Sequence, residues 1–564
     1  MTPAEFEQSV DKAVERLQIF GLPSKCIFGA VFGVIDNLFN GKRFSENIEP
    51  RIDAGCALIG RLSYMAPLLL TCDSTQIGSS ALDTQQAYFS VDSDGEQLKL
   101  LQAYGHFCEI MPEVHRGYYK VIECTTNRLR LEHSSPEFRH SESLDIILSD
   151  LALPYLVRVP TNYMNMFDRQ AEQLPKGDSE FLNKTLEILF NHHATHTFEV
   201  PILSSTGFLS GVGVSYEEFK RFRAAWFAFA DYCLGMAAAI SRLGVNDPSR
   251  QEQLLPELFE WQTINFKEYF CKDLIIKISN IHPDSYEKIL SLYSFYTNNE
   301  ESDMRFGDGF FPPFIRYKES ICFNPNTLQI MLSERNIPYV LNKIDRKRFD
   351  GEISEYMEPQ LISIAVKLLK AIGNWVIVEN KAWAGGEFDI LVYAQHENVV
   401  LHIQAKSAIP AQGARMIKAN ESRIKEGLRQ LRVFREKPQS FQDSILSKAL
   451  GLKVCNALVL DSVLSRSSFG THNLWSELDN TIPLSPTILL HLVRKYKDST
   501  QQILLTDIKN EIESFFEFIL DDMCPIWSEA ILEISDKQVL FPLLEFDANN
   551  LSKLRERLWN YYAV

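Results

Sequence analysis

The feature that most limits what this chain can fold into is a pair of apolar, β-branched runs, EFDILVY (Glu387–Tyr393) and NVVLHIQAK (Asn398–Lys406), joined only by the polar turn AQHE. Two runs of that length and composition so close together predict an antiparallel hairpin. In a hairpin side chains alternate between faces, so Gln404 and Lys406 share one face of the second strand, and Asp389 sits on the first where it can meet them. Upstream, EISEYMEPQLISIAVKLLKAIG carries apolar residues at helical spacing and stops at Gly373, and a further strand candidate, NWVIVEN, follows it. Downstream, the proline- and glycine-containing loop SAIPAQGA leads to a basic helix over Arg415–Glu436 and then to KVCNALVLDS, which reads as a buried strand. The predicted order is α-β-β-β-α-β.

Phosphodiester hydrolysis near neutral pH needs a divalent cation, and hard Mg²⁺ prefers oxygen ligands from one or two carboxylates and a backbone carbonyl. An acid on one strand with residues i and i+2 on its partner supplies such a cluster. The motif itself, GGEFD, fourteen intervening residues and then QAK, resembles the PD-(D/E)XK (restriction-endonuclease-like) nuclease superfamily, in the Mrr-like subset where Gln stands for the second acid. The resemblance covers about residues 352–461. It implies a mixed sheet, a metal held by Asp389 with Gln404 and the Ala405 carbonyl, and Lys406 orienting the attacking water or stabilising charge on the phosphate. An acid from the preceding helix often joins the set in this family: Glu358 is the choice here, with Glu355 behind it. Glu387, two residues before Asp389, shares its strand face and is a further candidate ligand. The implied cofactor is Mg²⁺, for which Mn²⁺ substitutes.

The net charge of −16 would repel a polyanion if it were spread evenly. Between Lys406 and Lys437, however, nine Lys or Arg stand against three Glu, an excess of six positive charges directly after the proposed catalytic lysine. Arg415, Lys418, Arg423, Lys425 and Arg429 are therefore the candidate contacts to a nucleic-acid backbone, in the first instance DNA.

With 564 residues the chain is several domains long. The expected class is α+β multidomain. Residues 1–330 form a mostly helical region that senses a target, a ligand or a protein partner, or mediates homo-oligomerisation; residues 331–464 form the nuclease-like domain; residues 465–564 form a helical extension packed on it. Within the first region, helical patterns fall near Glu5–Phe20, Phe181–Phe190, Tyr216–Leu243 and Leu254–Phe270, and KVIECTT and LDIILSDL look like strands. DGFFPPFIRYKESICFNPN (Asp308–Asn326) has the proline and aromatic content of a boundary.

The N-terminal segment is amphipathic and acidic, unlike a signal peptide, and Ala224–Ile240 contains Asp231 and is shorter than a membrane span, so a buried helix in a cytoplasmic protein, with no membrane partner, is expected. Ten cysteines without a CxxC pair argue for reduced thiols. NHHATH places His192 and His196 four apart, but two histidines without a third ligand do not make a metal site, and GFLSGVG lacks the Lys-Ser/Thr ending of a phosphate loop and reads as a flexible turn. Two functions follow from different classes. One is a metal-dependent endonuclease, whose association with unexplained companion regions suggests bacterial defence against phage or foreign DNA; the alternative is a catalytically inactive nuclease-fold module for nucleic-acid binding or complex assembly.

Overall fold

The computed structural model describes residues 1–22, 60–61, 63–64, 88–136, 139–153, 163–172, 179–197, 199–246, 264–296, 307–317, 319–496 and 503–562. Most of the expected helix Leu254–Phe270, together with Cys26, Cys56 and Cys72, lies outside them. The chain is a mixed α/β protein with three sheets, each containing both parallel and antiparallel pairs.

The sheet over the motif is built from α1 (Ser354–Ile372), β1 (Val376–Trp383), β2 (Gly386–Ala394), β3 (Val399–Lys406), α2 (Ala414–Arg435), α3 (Gln439–Leu450), β4 (Leu458–Ser465) and β5 (Ile482–Leu484). Its strand order is β5-β4-β3-β2-β1, with β3, β4 and β5 parallel and the β1-β2-β3 meander antiparallel. Val399, Leu401, Ile403 and Ala405 of β3 bury one face against Leu361, Ala365 and Leu369 of α1, while Val400 faces Phe388, Phe434 and Leu446 on the other. Both faces are covered, which is why β3 reads as an almost unbroken apolar run. Helix α3 is an element beyond the predicted order. It ends at Gly451, in the left-handed region at φ 66°, and the strand after it starts five residues later than KVCNALVLDS suggests. Gly373 caps α1 for a steric reason: its φ is an extended −150°, and a Cβ there would run into the Trp375 ring.

The other two sheets redraw the expected division of the chain. Ile526–Ile534 and Lys537–Glu545 form a hairpin whose second strand lies parallel to Arg128–His133, pairing Val539 with Leu129. The helical extension expected over 465–564 therefore contains two nine-residue strands. The side chains of the first alternate roughly between half-covered and exposed, and those of the second are buried at Val539, Leu540 and Phe541. Phe541 and Ile534 enter the N-terminal core, whereas Leu551, Leu554 and Leu558 of the last helix enter the core of the motif sheet.

LDIILSDL is helical, within Arg139–Leu151, because Leu144, Ile147, Leu148 and Leu151 fall on one 3.6-period face, which packs in the motif-sheet core. GFLSGVG is likewise a helix, Ser205–Val212, with Ser204 capping the Gly207 amide. Gly207 and Gly211 let it lie directly against Tyr356 and Ile353 at the start of α1. The stretch Asp308–Asn326 is no linker, since Phe310, Phe311, Phe314, Ile321 and Phe323 are core residues and the same core continues through Phe349, Ile353 and Met357. Among the described residues Tyr216–Leu243 is the one helix long and apolar enough to cross a membrane. It is instead packed among aromatic side chains, with Trp226 4.6 Å from Phe314 and 5.3 Å from Phe323 between ring centres.

Because the last 40 or so residues feed both cores, removing 524–564 should do more than trim an appendage. Truncation after Met523 is expected to lower the melting temperature by 10 °C or more or to give insoluble protein, since it uncovers Leu129, Leu131 and the edge of their strand. A truncated protein that melts like the full chain in a calorimetric scan would contradict this packing.

Candidate active site

The β2-β3 ladder stops at the Ile390–Ile403 pair, one residue short of Asp389 and Gln404. Beyond that point the Ala405 amide donates to the Asp389 carboxylate, N to Oδ2 2.7 Å, in place of a strand carbonyl. A strand residue presents its N–H and its C=O to the same edge. The Ala405 carbonyl therefore opens toward the gap that Asp389 borders.

Asp389 is 8% exposed. Burial pushes its pKa up to about 6; Lys406 and the Ala405 amide pull it down, and Glu358 and Glu387 raise it further. Glu358 is half-buried on α1, while Glu355 and Glu387 are exposed.

Gln404 is turned differently from the expectation of a simple ligand. Its Nε2 donates to the Glu387 carbonyl at 2.8 Å and lies 3.3 Å from His402 Nε2. An amide suits this position because a carboxylate would set an acceptor against an acceptor. Only Oε1 of the side chain is left to face a cation. His402 itself, two residues before Gln404 on the same strand face, is a supporting residue that the motif does not signal. It is buried at 1% exposure, its pKa is lowered by burial, and it lies edge-on to Phe388 and Phe434 and 3.7 Å from Asp461.

Lys406 is half-buried beneath α2, where a Cβ on Gly427 would come within 3.2 Å of its Cγ and 3.8 Å of the Gln404 Cβ. Glycine at that point lets the basic helix close over the stems of both residues. Arg423 secures the same end, donating to the Ser407 carbonyl at 2.5 Å. Of the other candidate phosphate contacts, Arg415 is paired with Asp308, and Lys425 with Glu477 at 2.8 Å. Lys418 and Arg429 are exposed. The Lys425 pair lies on the surface, where such bridges contribute about 0–1 kcal/mol and exchange readily for a phosphate.

A second residue that sequence patterns miss is Arg466, directly after Ser465, the partner of Lys406 in the β3-β4 register. It is buried and donates to the carbonyls of Pro201, Ile202 and Met357 at 2.8, 3.3 and 3.0 Å, and to Ser407 Oγ at 3.3 Å. One guanidinium therefore joins the N-terminal region, the residue before Glu358, and the residue after Lys406.

Among the described residues no three His, Cys, Asp or Glu side chains converge as a ready metal cage. The donor set fits a hard, partly hydrated cation that takes one buried carboxylate and neutral oxygens: Asp389, the Ala405 carbonyl and Gln404 Oε1, with Glu387 and Glu358 close by. The histidine cluster does not offer a rival site. His192 stacks on His196 at 4.7 Å, and His193 is turned inward to Asp231, Nε2 to Oδ2 2.5 Å.

Two outcomes test this arrangement without substrate. A carboxyl group with a raised folded-state pKa favours its neutral form, so its contribution is whole below about pH 4 and is lost as pH rises through about 6. In the presence of a chelator, Asp389→Asn should therefore stabilise the protein at pH 8 by about 1–3 kcal/mol, and by much less at pH 4.5; equal effects at the two pH values in urea titrations would contradict it. Gln404→Glu loses the bond to the Glu387 carbonyl and should cost about 1–3 kcal/mol in chelator. Added Mn²⁺ should recover most of that loss, and a variant as stable as the parent in chelator would mean that the amide bond is not made.

No protein-family model, curated protein or solved structure matches this chain, so what the site does has to be read from its own geometry.

Proposed function

We propose that the chain is a divalent-metal-dependent nuclease that hydrolyses phosphodiester bonds, in the first instance in DNA, with its site at the open end of the β2-β3 hairpin. The observation that carries this reading is that the buried Asp389 carboxylate accepts the Ala405 amide where the β2-β3 ladder ends, one residue before Lys406. A bound Mg²⁺ or Mn²⁺ would neutralise phosphate charge and lower the pKa of a coordinated water.

The chain's own residues have separate tasks. Asp389, fixed by the Ala405 amide, supplies the one buried anion. The Ala405 carbonyl and Gln404 Oε1 add neutral oxygens without extra negative charge, which favours the approach of a polyanion. Lys406, aligned by its packing under Gly427, places an ammonium beside the same gap and can meet charge that builds on the phosphate. Arg423 and the exposed Lys418 and Arg429 extend a cationic track away from Lys406 along α2. A role in defence against phage or foreign DNA belongs to this proposal through the resemblance alone.

One observation favours a non-catalytic nucleic-acid-binding module as the second reading: the amide of Gln404 is engaged with the Glu387 carbonyl. Incubation of supercoiled plasmid with the protein and Mg²⁺ or Mn²⁺ separates the two. The enzyme should nick DNA, and Asp389→Ala and Lys406→Ala should each reduce the rate by a factor on the order of 10² or more. Tight plasmid binding with no nicking in either metal would select the module. In both cases neutralising Lys418 and Arg429 together should lower the slope of log affinity against log salt by about 2; an unchanged slope would remove α2 from the interface.

A further inference from the structure

Arg415, Lys418, Lys425 and Arg429 follow one another along α2 at intervals of three, seven and four residues, so all four lie on one exposed face of the helix. The stripe ends at Arg415, in the first turn of α2, where the helix meets Asp308 of the N-terminal core. Gly427, which lies over Lys406, is twelve residues further on, about 18 Å along the helix axis. That separation is close to half of a duplex turn of about 34 Å. A duplex lying along α2 past Lys406 therefore reaches the Arg415 end within half a turn.

At that end one carboxylate stands among three cations. Asp308 receives the Arg415 guanidinium and lies 3.4 Å from the ammonium of Lys343, in the last turn of the helix Asn336–Ile344. Arg335 donates to the Asp308 and Pro410 carbonyls at 2.9 and 3.2 Å and to Asn336 Oδ1 at 2.9 Å. Burial, Arg415 and Arg335 lower the pKa of Lys343, while Asp308 raises it. Two further acids bear on Tyr64 beside Asp308, and neither supplies the missing charge. Glu109 is paired with Arg61 at 3.4 Å, and burial raises the pKa of Glu113 to about 8, which leaves it mostly neutral at pH 7. The backbone of the Asp308 loop is pinned. Gly307, Asp308 and Gly309 are consecutive residues in the left-handed region, at φ 98°, 48° and 78°. Tyr339 Oη donates to the Gly307 carbonyl at 2.6 Å, and a Cβ on Gly309 would run into the side chain of Gln412. The carboxylate, by contrast, is held by Arg415, Lys343 and the Tyr339 hydroxyl at 3.5 Å, donors that a phosphate takes equally well. The Arg415 side chain keeps 55% of its surface exposed, so the group opens to the same side as the rest of the stripe.

We propose that Arg415 and Lys343 form a phosphate site that carries the nucleic-acid interface from α2 onto the N-terminal core, and that the Asp308 carboxylate fills this site in the free protein and gives way to a backbone phosphate when duplex DNA binds. Rotation of the Asp308 side chain is enough for the exchange, since the loop itself stays pinned. The inference rests on the nucleic-acid reading of α2 and holds for the nuclease and the non-catalytic module alike. It makes the N-terminal core part of the DNA footprint and Asp308 a built-in brake on affinity.

A labelled DNA duplex longer than one turn is titrated with the full chain in chelator and in Ca²⁺, over a range of salt concentrations. Asp308→Asn should bind it about tenfold more tightly than the parent at low salt and steepen the slope of log affinity against log salt by about 1. Lys343→Gln, which leaves the Asp308–Arg415 pair in place, should weaken binding about threefold and flatten the slope, and it keeps the test open if Asp308→Asn does not fold. In the Asp308→Asn background the loss from Lys343→Gln should grow to about tenfold, because no carboxylate then competes for the ammonium. An ion pair with a purely structural role would change the melting temperature of Asp308→Asn and leave its affinity where it was. That result, or DNA binding that is indifferent to Lys343→Gln, would overturn this proposal while the nucleic-acid reading stands; no DNA binding by the parent or by Asp308→Asn in either condition would overturn both.

Discussion

Everything at the candidate site depends on the register of β2 against β3 and on the bond that ends their ladder. With Ile390 opposite Ile403, the Asp389 carboxylate is delivered to the Ala405 amide, and the strands part beyond it. A slip of one residue would exchange the faces of every side chain on β3. Ile403 and Ala405 would leave the core under α1, and His402, Gln404 and Lys406 would enter it. The cost of moving the Lys406 ammonium into that core, together with the loss of the Asp389–Ala405 and Gln404–Glu387 hydrogen bonds, is what holds the register. The apolar face of β3 and the polar end of the hairpin are therefore maintained by the same constraint.

The site combines few charges with heavy burial. Asp389 is held in a setting that favours its neutral form, with Lys406 as its principal compensating charge. Gln404 makes physical sense here because its amide meets the Glu387 carbonyl and lies beside His402. A second carboxylate would add like charge next to Asp389 and confront a carbonyl oxygen. The arrangement lowers the electrostatic strain around Asp389.

Arg466 explains how so large an N-terminal region can bear on a site made by two strands. Its guanidinium gathers carbonyls from the 201–202 segment and from Met357, and reaches the Ser407 hydroxyl. The helix Ser205–Val212 lies against Ile353 and Tyr356 through its glycines. The N-terminal core is thereby joined by direct contacts to the start of α1, which carries Glu358, and to the residue after Lys406.

What the residues determined by themselves were the local patterns: the hairpin with Asp389, Gln404 and Lys406 at one end, α1 with its stop at Gly373, the basic helix, and the apolar helix around Ala224–Ile240. Each is legible because its period and its end signals lie within some twenty residues of chain. Tertiary structure decided the rest. LDIILSDL is a helix because its four buried aliphatics need the motif-sheet core to cover them, and a short apolar run carries too little period to announce that. The hairpin 526–545 is a pair of strands because Arg128–His133, some 400 residues earlier, offers it an edge. Arg466 and His402 have no local signature at all: a buried guanidinium is recognisable only from the carbonyls around it, and those lie between 109 and 265 residues earlier in the chain.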